Sequence, residues 1–218
     1  FSQAEGLEQA RQNLVHKIER LAAQLEQIAQ ELSQQFKIDF KGLDFTLAPF
    51  PEDSKSIGRA LEALGIEAFG LAGSLFASTF LTNTLDQANF QRTGFNGLML
   101  PVLEDSGLAQ RASEGSLSVE DLLLFSSVCG AGLDVVPLPG DTSSEELTPL
   151  LLDLAALSLR LNKALTARLM PIPGKEAGEM TNFDFAFFAN SRIMPLKSAP
   201  LKGKMSGDQN IPITPRKA

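Results

Sequence analysis

Apolar residues recur at helical spacing through the first part of the chain. No proline interrupts residues 2–35. Apolar side chains return there at alternating steps of four and three: Leu14, Ile18, Leu21, Leu25, Ile28 and Leu32. This spacing places them on one face of a single long amphipathic helix. Because Val15, Ala22, Ala29 and Phe36 widen that face, the pattern favours a helix packed on a domain, with a free coiled coil as the alternative.

The chain after this helix alternates short apolar runs with helical stretches. In the first run, Leu43, Phe45 and Leu47 alternate with polar residues, as in a strand with one apolar face. Further strands are predicted near residues 67–71, 95–102, 133–138 and 165–170. Helices are predicted near residues 56–64, 74–88, 104–112, 119–126 and 143–161. Strands that alternate with helices pair in parallel, which predicts an α/β fold, either an open doubly wound sheet or part of a barrel.

Four of the predicted strands end in similar sequences. Each of these ends has a proline followed closely by a charged residue, and they lie at residues 48–53, 100–105, 136–141 and 170–175. Proline cannot donate to a sheet, so pairing stops there and the chain turns outward. Ligands of parallel α/β proteins bind at this edge, which makes Glu104, Asp105, Asp141 and Lys175 candidates for one polar site. The alternative is that these are turn residues that begin helices.

The run from Cys129 to Thr142, CGAGLDVVPLPGDT, is the candidate functional centre. Cys129 stands before two glycines that let a backbone approach a ligand, so it is a candidate nucleophile, with a buried inert thiol as the alternative. Asp134 lies on the opposite strand face from Leu133 and needs a partner if it is buried. Arg168 is expected either to pair with Asp134 or to hold a ligand carboxylate or phosphate.

A helix start is predicted just after this run. Thr142 with Glu145, or Ser143 with Glu146, has the spacing of a capping box. Capping is favoured there over anion binding by exposed backbone amides, because two glutamates stand in the first turn. Asp141 remains available for a proton or a metal.

The run, together with Asn162, Lys163, Thr166, Arg168 and residues 173–179, resembles an uncharacterised bacterial and archaeal family often called PFL family proteins. The resemblance spans residues 43–196 and includes LAPFP at 47–51 and EDSG at 104–107. It implies that this chain is the C-terminal half of a longer protein. It also implies an α/β barrel of the pyruvate formate-lyase type, with Cys129 on or near a hairpin inside the barrel.

The sequence departs from the family pattern at LNKALTA, 161–167, and at FDFAFFAN, 183–190. The glycyl-radical motif is also absent, because the arginine stretch at 191–196 has no glycine and the chain has no tyrosine. Formate-lyase radical chemistry is therefore not expected.

Composition limits the function classes further. The net charge of −7 argues against nucleic-acid partners. One cysteine and one histidine exclude an internal disulfide and a thiolate or imidazole metal cage, so no metal is assigned and the cofactor is left unknown. The absence of a signal peptide and of long apolar runs predicts a cytoplasmic protein without membrane partners.

These observations predict an amphipathic helix at residues 1–36, an α/β barrel-like domain at 37–196 and a basic extended arm at 197–218. The arm carries five basic residues against one acid, which on an acidic protein suits a homo-oligomer. The function hypothesis is a cytoplasmic metabolic enzyme acting on a small anionic carboxylate or phosphate. Its catalytic residues would be Cys129, Asp134 and Asp141, and its substrate-binding residues Arg168, Lys175, Glu104 and Asp105. The alternative is a noncatalytic metabolite-binding or structural oligomeric protein.

Overall fold

The computed structural model of the chain describes residues 1–207 and 210–216. Its helices are α1 (Leu7–Phe36), α2 (Ile57–Glu62), α3 (Ser74–Gln87), α4 (Ser106–Glu114), α5 (Val119–Phe125) and α6 (Ser144–Leu161). Its strands are β1 (Gly132–Pro139) and β2 (Thr166–Ile172), and short 3-10 turns lie at Asp53–Lys55 and Gly203–Met205. Across the described ranges, none of the helices is both long and apolar enough to cross a membrane.

The strands β1 and β2 pair in parallel, and α6 connects them. Two earlier segments extend this sheet through isolated parallel bridges, Leu43 to Arg92, Leu47 to Leu98 and Pro101 to Asp134. Residues 43–47, residues 92–101, β1 and β2 therefore neighbour one another in chain order. The predicted α/β class and the long N-terminal helix are confirmed, whereas no closed barrel forms among the residues described.

The core lies between the parallel segments and helices α3, α4 and α5. It includes these fully or almost fully buried residues: Leu81, Leu98, Leu100, Leu108, Leu122, Phe125, Leu133, Val136 and Leu138. Parallel segments are normally covered on both faces, which agrees with β1, where all residues but the last are buried and all but Asp134 are apolar.

The strand predicted at residues 67–71 is wrong, because these residues form a turn between α2 and α3. Gly70 and Gly73 have φ of 105° and 103°, a conformation that does not fit a strand. The apolar run there reflects burial instead. Phe69 is fully buried against Phe125, with ring centroids 4.9 Å apart, and its N–H donates to the carboxylate of Glu62.

Helix α6 begins with the predicted capping box. The hydroxyl of Ser143 accepts the N–H of Glu146, and the Glu146 carboxylate accepts the N–H of Ser143. Thr142, the other candidate cap, donates its hydroxyl to the carbonyl of Pro139 instead. Capping is thus the role that the structure assigns to this helix start.

Helix α1 packs on the body along only part of its length. Ala10, Ile18 and Ala22 are buried, in keeping with the prediction of a packed helix. Beyond them, Leu25, Ile28, Leu32 and Phe36 are 46 to 60% exposed.

The C-terminal arm lies along the surface of α6. Ser198 donates its hydroxyl to the carbonyl of Glu146, and Arg160 donates to the carbonyl of Thr214. The domain limits stay predictions.

Asp44 joins the first two parallel segments. Its carboxylate accepts the N–H and hydroxyl of Thr46 and the N–H groups of Phe95 and Asn96. Burial by itself would raise the pKa of this carboxyl, but the hydrogen bonds from Thr46, Phe95 and Asn96 outweigh it and lower the pKa from 3.8 to about 2. The folded protein thus prefers the charged form.

We predict that Asp44→Asn changes the acid dependence of stability. A depressed folded pKa stabilises the protein above the unfolded value of 3.8, and that stabilisation is lost as pH falls towards 2. The melting temperature of the wild type should therefore exceed that of Asp44→Asn at pH 6, and the difference should shrink between pH 4 and pH 2. Asp39→Asn, an exposed change nearby, is the control and should give a curve parallel to the wild type. A difference for Asp44→Asn that does not vary with pH would contradict the prediction.

Candidate functional site

A β-bulge in β1 places Asp134 at the centre of a polar cluster. The register advances from Leu133 opposite Ala167 to Val136 opposite Leu169, so Asp134 and Val135 together face Arg168. Val135 has φ of 47°, a strained conformation for a β-branched residue that costs about 1–3 kcal/mol. Asp134 is 2% exposed, and its Oδ2 has no hydrogen-bond partner in the described part of the chain. Bulges of this kind often redirect side chains at functional sites.

Arg168 connects Asp134 to Glu104. Its Nε donates to Oδ1 of Asp134, and its Nη1 and Nη2 donate to the two carboxylate oxygens of Glu104 at 3.2 Å each. The pKa of the guanidinium is raised, chiefly by the hydrogen bond to Asp134, against the effect of burial and with further support from Glu104. The structure thus contains the predicted ion pair between Asp134 and Arg168.

An aromatic cavity of about 400 Å³ adjoins this cluster at Glu104. Its walls come from the ends of the first two parallel segments and from a later loop: Pro49, Phe50, Pro51, Glu104, Phe185, Phe187 and Phe188. The rings of Phe50 and Phe187 meet edge to face at 5.6 Å, and Phe185 lies 5.3 Å from Phe187. The cavity therefore has an aromatic wall and an ionised edge.

The loop that supplies three of these rings, residues 181–190, is closed at its base by Asn190. The amide oxygen of Asn190 accepts the hydroxyl of Thr181 and the N–H of Phe183, and its NH₂ group donates to the carbonyl of Phe183. Arg192 and Met180 form an antiparallel bridge below it. These contacts hold Phe185 and Phe187 in place, although both side chains are exposed and bury little apolar surface.

The four similar strand ends do not meet at one site. The ends at 48–53 and 100–105 line the cavity, whereas those at 136–141 and 170–175 adjoin each other through the N–H of Gly140, which donates to the carbonyl of Lys175. Residues 189–194 lie between the two pairs, because Ala189 bonds to Leu103 and Met194 to Pro137. Asp141 and Lys175 are consequently absent from the described lining of the cavity.

Asp105 has a structural environment. It is fully buried and accepts the hydroxyl of Ser56 and the N–H groups of Ile57, Gly58 and Leu108. One carboxylate thus caps both α2 and α4, the arrangement expected of a turn residue that begins helices. The substrate-binding role predicted for Asp105 finds no support in this geometry.

Cys129 lies beyond the amino end of β1, away from Asp141 at the carboxyl end. A strand of eight residues spans roughly 25 Å, so the two side chains cannot share a small pocket. Cys129 is fully buried, and its thiol contacts the carbonyl of Gly132 at 3.9 Å. Burial lowers the pKa of the neighbouring Lys163, which donates to the carbonyl of Ser126, while Cys129 acts in the opposite direction on that pKa.

Sequence reasoning did not select the cavity phenylalanines. In the sequence, Phe50 is part of a proline-rich strand end, and the run FDFAFFAN is a departure from the family pattern. The available signal was four phenylalanines within six residues of a segment without helical or strand periodicity. For the residues that the structure describes, no three His, Cys, Asp or Glu side chains are grouped to hold a metal ion.

Fold and site together define an α/β protein with parallel segments in chain order and an aromatic cavity at their carboxyl edge. Residues 2–191 match the family described as "Uncharacterised ACR (DUF711)", and the chain belongs to that family. Membership of an uncharacterised family agrees with the expected resemblance. The relation to pyruvate formate-lyase and the position in a C-terminal half stay predictions.

Similar relatives carry the name UPF0210 protein. The chain is 31% identical over 189 residues to one from Lactobacillus delbrueckii subsp. bulgaricus, which covers 85% of this chain and 42% of the relative. A relative from Methanococcoides burtonii is 35% identical over 162 residues, which covers 72% of this chain and 36% of the relative. A third, from Methanocaldococcus jannaschii, is 33% identical over 178 residues, which covers 78% and 39%. The chain thus spans about two fifths of the length of these relatives.

We predict that Asp105→Ala is strongly destabilising. The change leaves four buried or partly buried donors without their acceptor, and the loss of this network should cost about 3 kcal/mol. Urea unfolding would measure it. Asp86→Ala, on the exposed side of α3, should stay within about 0.5 kcal/mol of the wild type. A similarly small effect for Asp105→Ala would mean that its carboxylate is not needed to hold the two helix starts.

We also predict that the thiol of Cys129 is unreactive in the folded protein because it is fully buried. Native protein treated with iodoacetamide should show no adduct by mass spectrometry, and the same protein in urea should show one, since the chain has a single cysteine. Rapid alkylation of the native protein would instead indicate an accessible thiolate and restore the nucleophile hypothesis.

Proposed function

We propose that this chain is a small-molecule-binding protein whose ligand occupies the aromatic cavity at the carboxyl edge of the parallel segments. One observation carries the proposal. The cavity of about 400 Å³ adjoins an ion cluster that ends in a buried carboxylate, one oxygen of which has no hydrogen-bond partner in the part of the chain that the structure describes. Ligand sites typically measure about 300–1,000 Å³ and combine apolar walls with a few placed polar groups.

The distribution of the candidate catalytic groups favours binding over catalysis. Cys129 is buried beyond the amino end of β1, and Asp141 is not among the described residues of the cavity wall. Glu104 is the one ionisable side chain in the described wall, and Arg168 engages it. Catalysis needs groups that contact the reacting atoms, so the noncatalytic metabolite-binding hypothesis has the stronger support.

A specific observation keeps an enzyme as the second candidate. Asp134 combines deep burial, an Oδ2 without a hydrogen-bond partner in residues 1–207 and 210–216, and a strained neighbour, Val135, and such features cluster at active sites. In an enzyme, Asp134 would accept a proton from a substrate that reaches Oδ2. An anionic substrate would share Arg168 with two carboxylates, because three of its five N–H groups already donate to them.

We further propose that the parallel segments are an arc of a larger α/β barrel of the formate-lyase-like type. The arrangement of the segments in chain order supports a barrel. Barrels place successive strands side by side, whereas in doubly wound sheets the strand order reverses at a switch point. The relatives' greater length leaves room for the remaining strands. A homo-oligomer and a cytoplasmic location remain predictions.

The proposed binding site is tested by a thermal-shift screen with uncharged, cationic and anionic fragments of benzene size. At a concentration ten times its Kd, a fragment stabilises the folded state by about 1.4 kcal/mol, or about 3 °C or more for a chain of this size. At least one class should raise the melting temperature of the wild type.

Phe187→Ala should reduce that shift by more than half, because it removes a wall of the cavity. The matched control is Phe76→Ala on α3, since Phe76 and Phe187 are 62% and 57% exposed and their truncation costs similar packing. Phe76→Ala should retain the shift. The proposal fails if no fragment of any class stabilises the protein, or if the two variants respond alike.

A further inference from the structure

The cavity wall has the electrostatic character that attracts positive charge. The faces of aromatic rings carry partial negative charge, and a cation within about 6 Å of a ring centroid is attracted to it. Four of the rings meet here in three pairs, with centroids 5.2 to 5.6 Å apart. One of the cavity rings, Phe50, already holds a cation, with Nζ of Lys55 at 4.9 Å from its centroid. That ammonium is paired with Glu52 at 3.0 Å, so it adds no net positive charge.

The ion cluster beside the cavity is net negative. Arg168 supplies one positive charge, and Glu104 and Asp134 supply two negative charges, which leaves −1. Glu104 lines the cavity and its side chain is 29% exposed, so its negative charge acts on a ligand in the cavity. The second negative charge belongs to the buried carboxylate of Asp134. Among the described residues, only its Oδ1 takes part in a hydrogen bond.

An anion finds no comparable partner among the described residues of the cavity wall. The three guanidinium nitrogens of Arg168 each donate to a carboxylate already. Two of its five N–H groups are not engaged by these carboxylates, but Arg168 is not among the described residues of the cavity wall, where an anion would face the charge of Glu104 and the negative faces of the rings. The cavity therefore disfavours the anionic ligand expected from the sequence and favours a positively charged one.

We propose that the cavity ligand is an organic cation, a compound with an apolar body and a protonated or quaternary amine. The apolar body packs against Phe185 and Phe187, and the nitrogen lies towards the carboxylate of Glu104. This inference rests on the proposed binding function and names the chemical class of its ligand. Glu104 is the residue that determines specificity for charge, and Arg168 is a positioning residue that holds Glu104 at the cavity edge.

Three probes of similar size and different charge test the inference: benzylammonium, benzyl alcohol and benzoate. Isothermal titration calorimetry at pH 7 should give benzylammonium at least a tenfold lower Kd than benzyl alcohol, with benzoate weakest. Tenfold corresponds to about 1.4 kcal/mol, within the range of a desolvated cation–π contact supported by a carboxylate.

Glu104→Gln should raise the Kd of benzylammonium about tenfold, leave that of benzyl alcohol unchanged and lower that of benzoate, because the cluster becomes neutral. Glu145→Gln, an exposed change in the first turn of α6, removes the same charge from the chain and should alter none of the three. Circular dichroism of both variants verifies the fold.

The outcomes separate the inference from the function on which it rests. Equal affinity for benzylammonium and benzyl alcohol, or tighter binding of benzoate, overturns the cationic ligand while the cavity remains a binding site. A benzylammonium Kd that Glu104→Gln does not change assigns charge recognition elsewhere and also overturns it. Failure of all three probes to bind overturns both the inference and the proposed function.

Discussion

The guanidinium of Arg168 lies between carboxylates that belong to the two preceding parallel segments. Asp134 comes from β1, and Glu104 follows residues 92–101. Three adjacent segments therefore share one ionic contact. Because Asp134 is almost fully buried, its charge depends on this partner far more than an exposed ion pair would. The bulge at Val135 is consistent with this dependence, since a strained residue persists only where its surroundings hold it in place.

The carboxyl edge of the parallel segments is divided rather than shared. Residues 189–194 bond to Leu103 on one side and to Pro137 on the other, so the first two segment ends open to the cavity and the last two adjoin each other. The charged residues at these ends consequently have different roles. Asp105 caps two helices, Glu104 faces the cavity, and Asp141 is exposed in a turn. Similar sequence at four positions thus reflects similar local turns more than one common site.

The Arg168 cluster combines features of a structural ion pair with features of a ligand site. An arginine bonded to two carboxylates is common in purely structural settings, and on its own it would not indicate a ligand. Two further features favour a ligand site: Oδ2 of Asp134 has no hydrogen-bond partner among the described residues, and a loop keeps Phe185 and Phe187 exposed beside Glu104. Exposed aromatic rings held by a closed loop carry a cost in water, which binding of an apolar group would offset.

The sequence by itself determined the elements that depend on local periodicity and capping, among them α1, the Ser143 start of α6, and the alternation that defines an α/β protein. It also indicated Arg168 as a partner for Asp134, because a buried carboxylate needs one. Only the tertiary structure decided that residues 67–71 turn, since burial and strand formation both select apolar runs. It alone also brought Phe50, Phe187 and Glu104 together, because they are separated by long stretches of chain and local sequence carries no information on that distance.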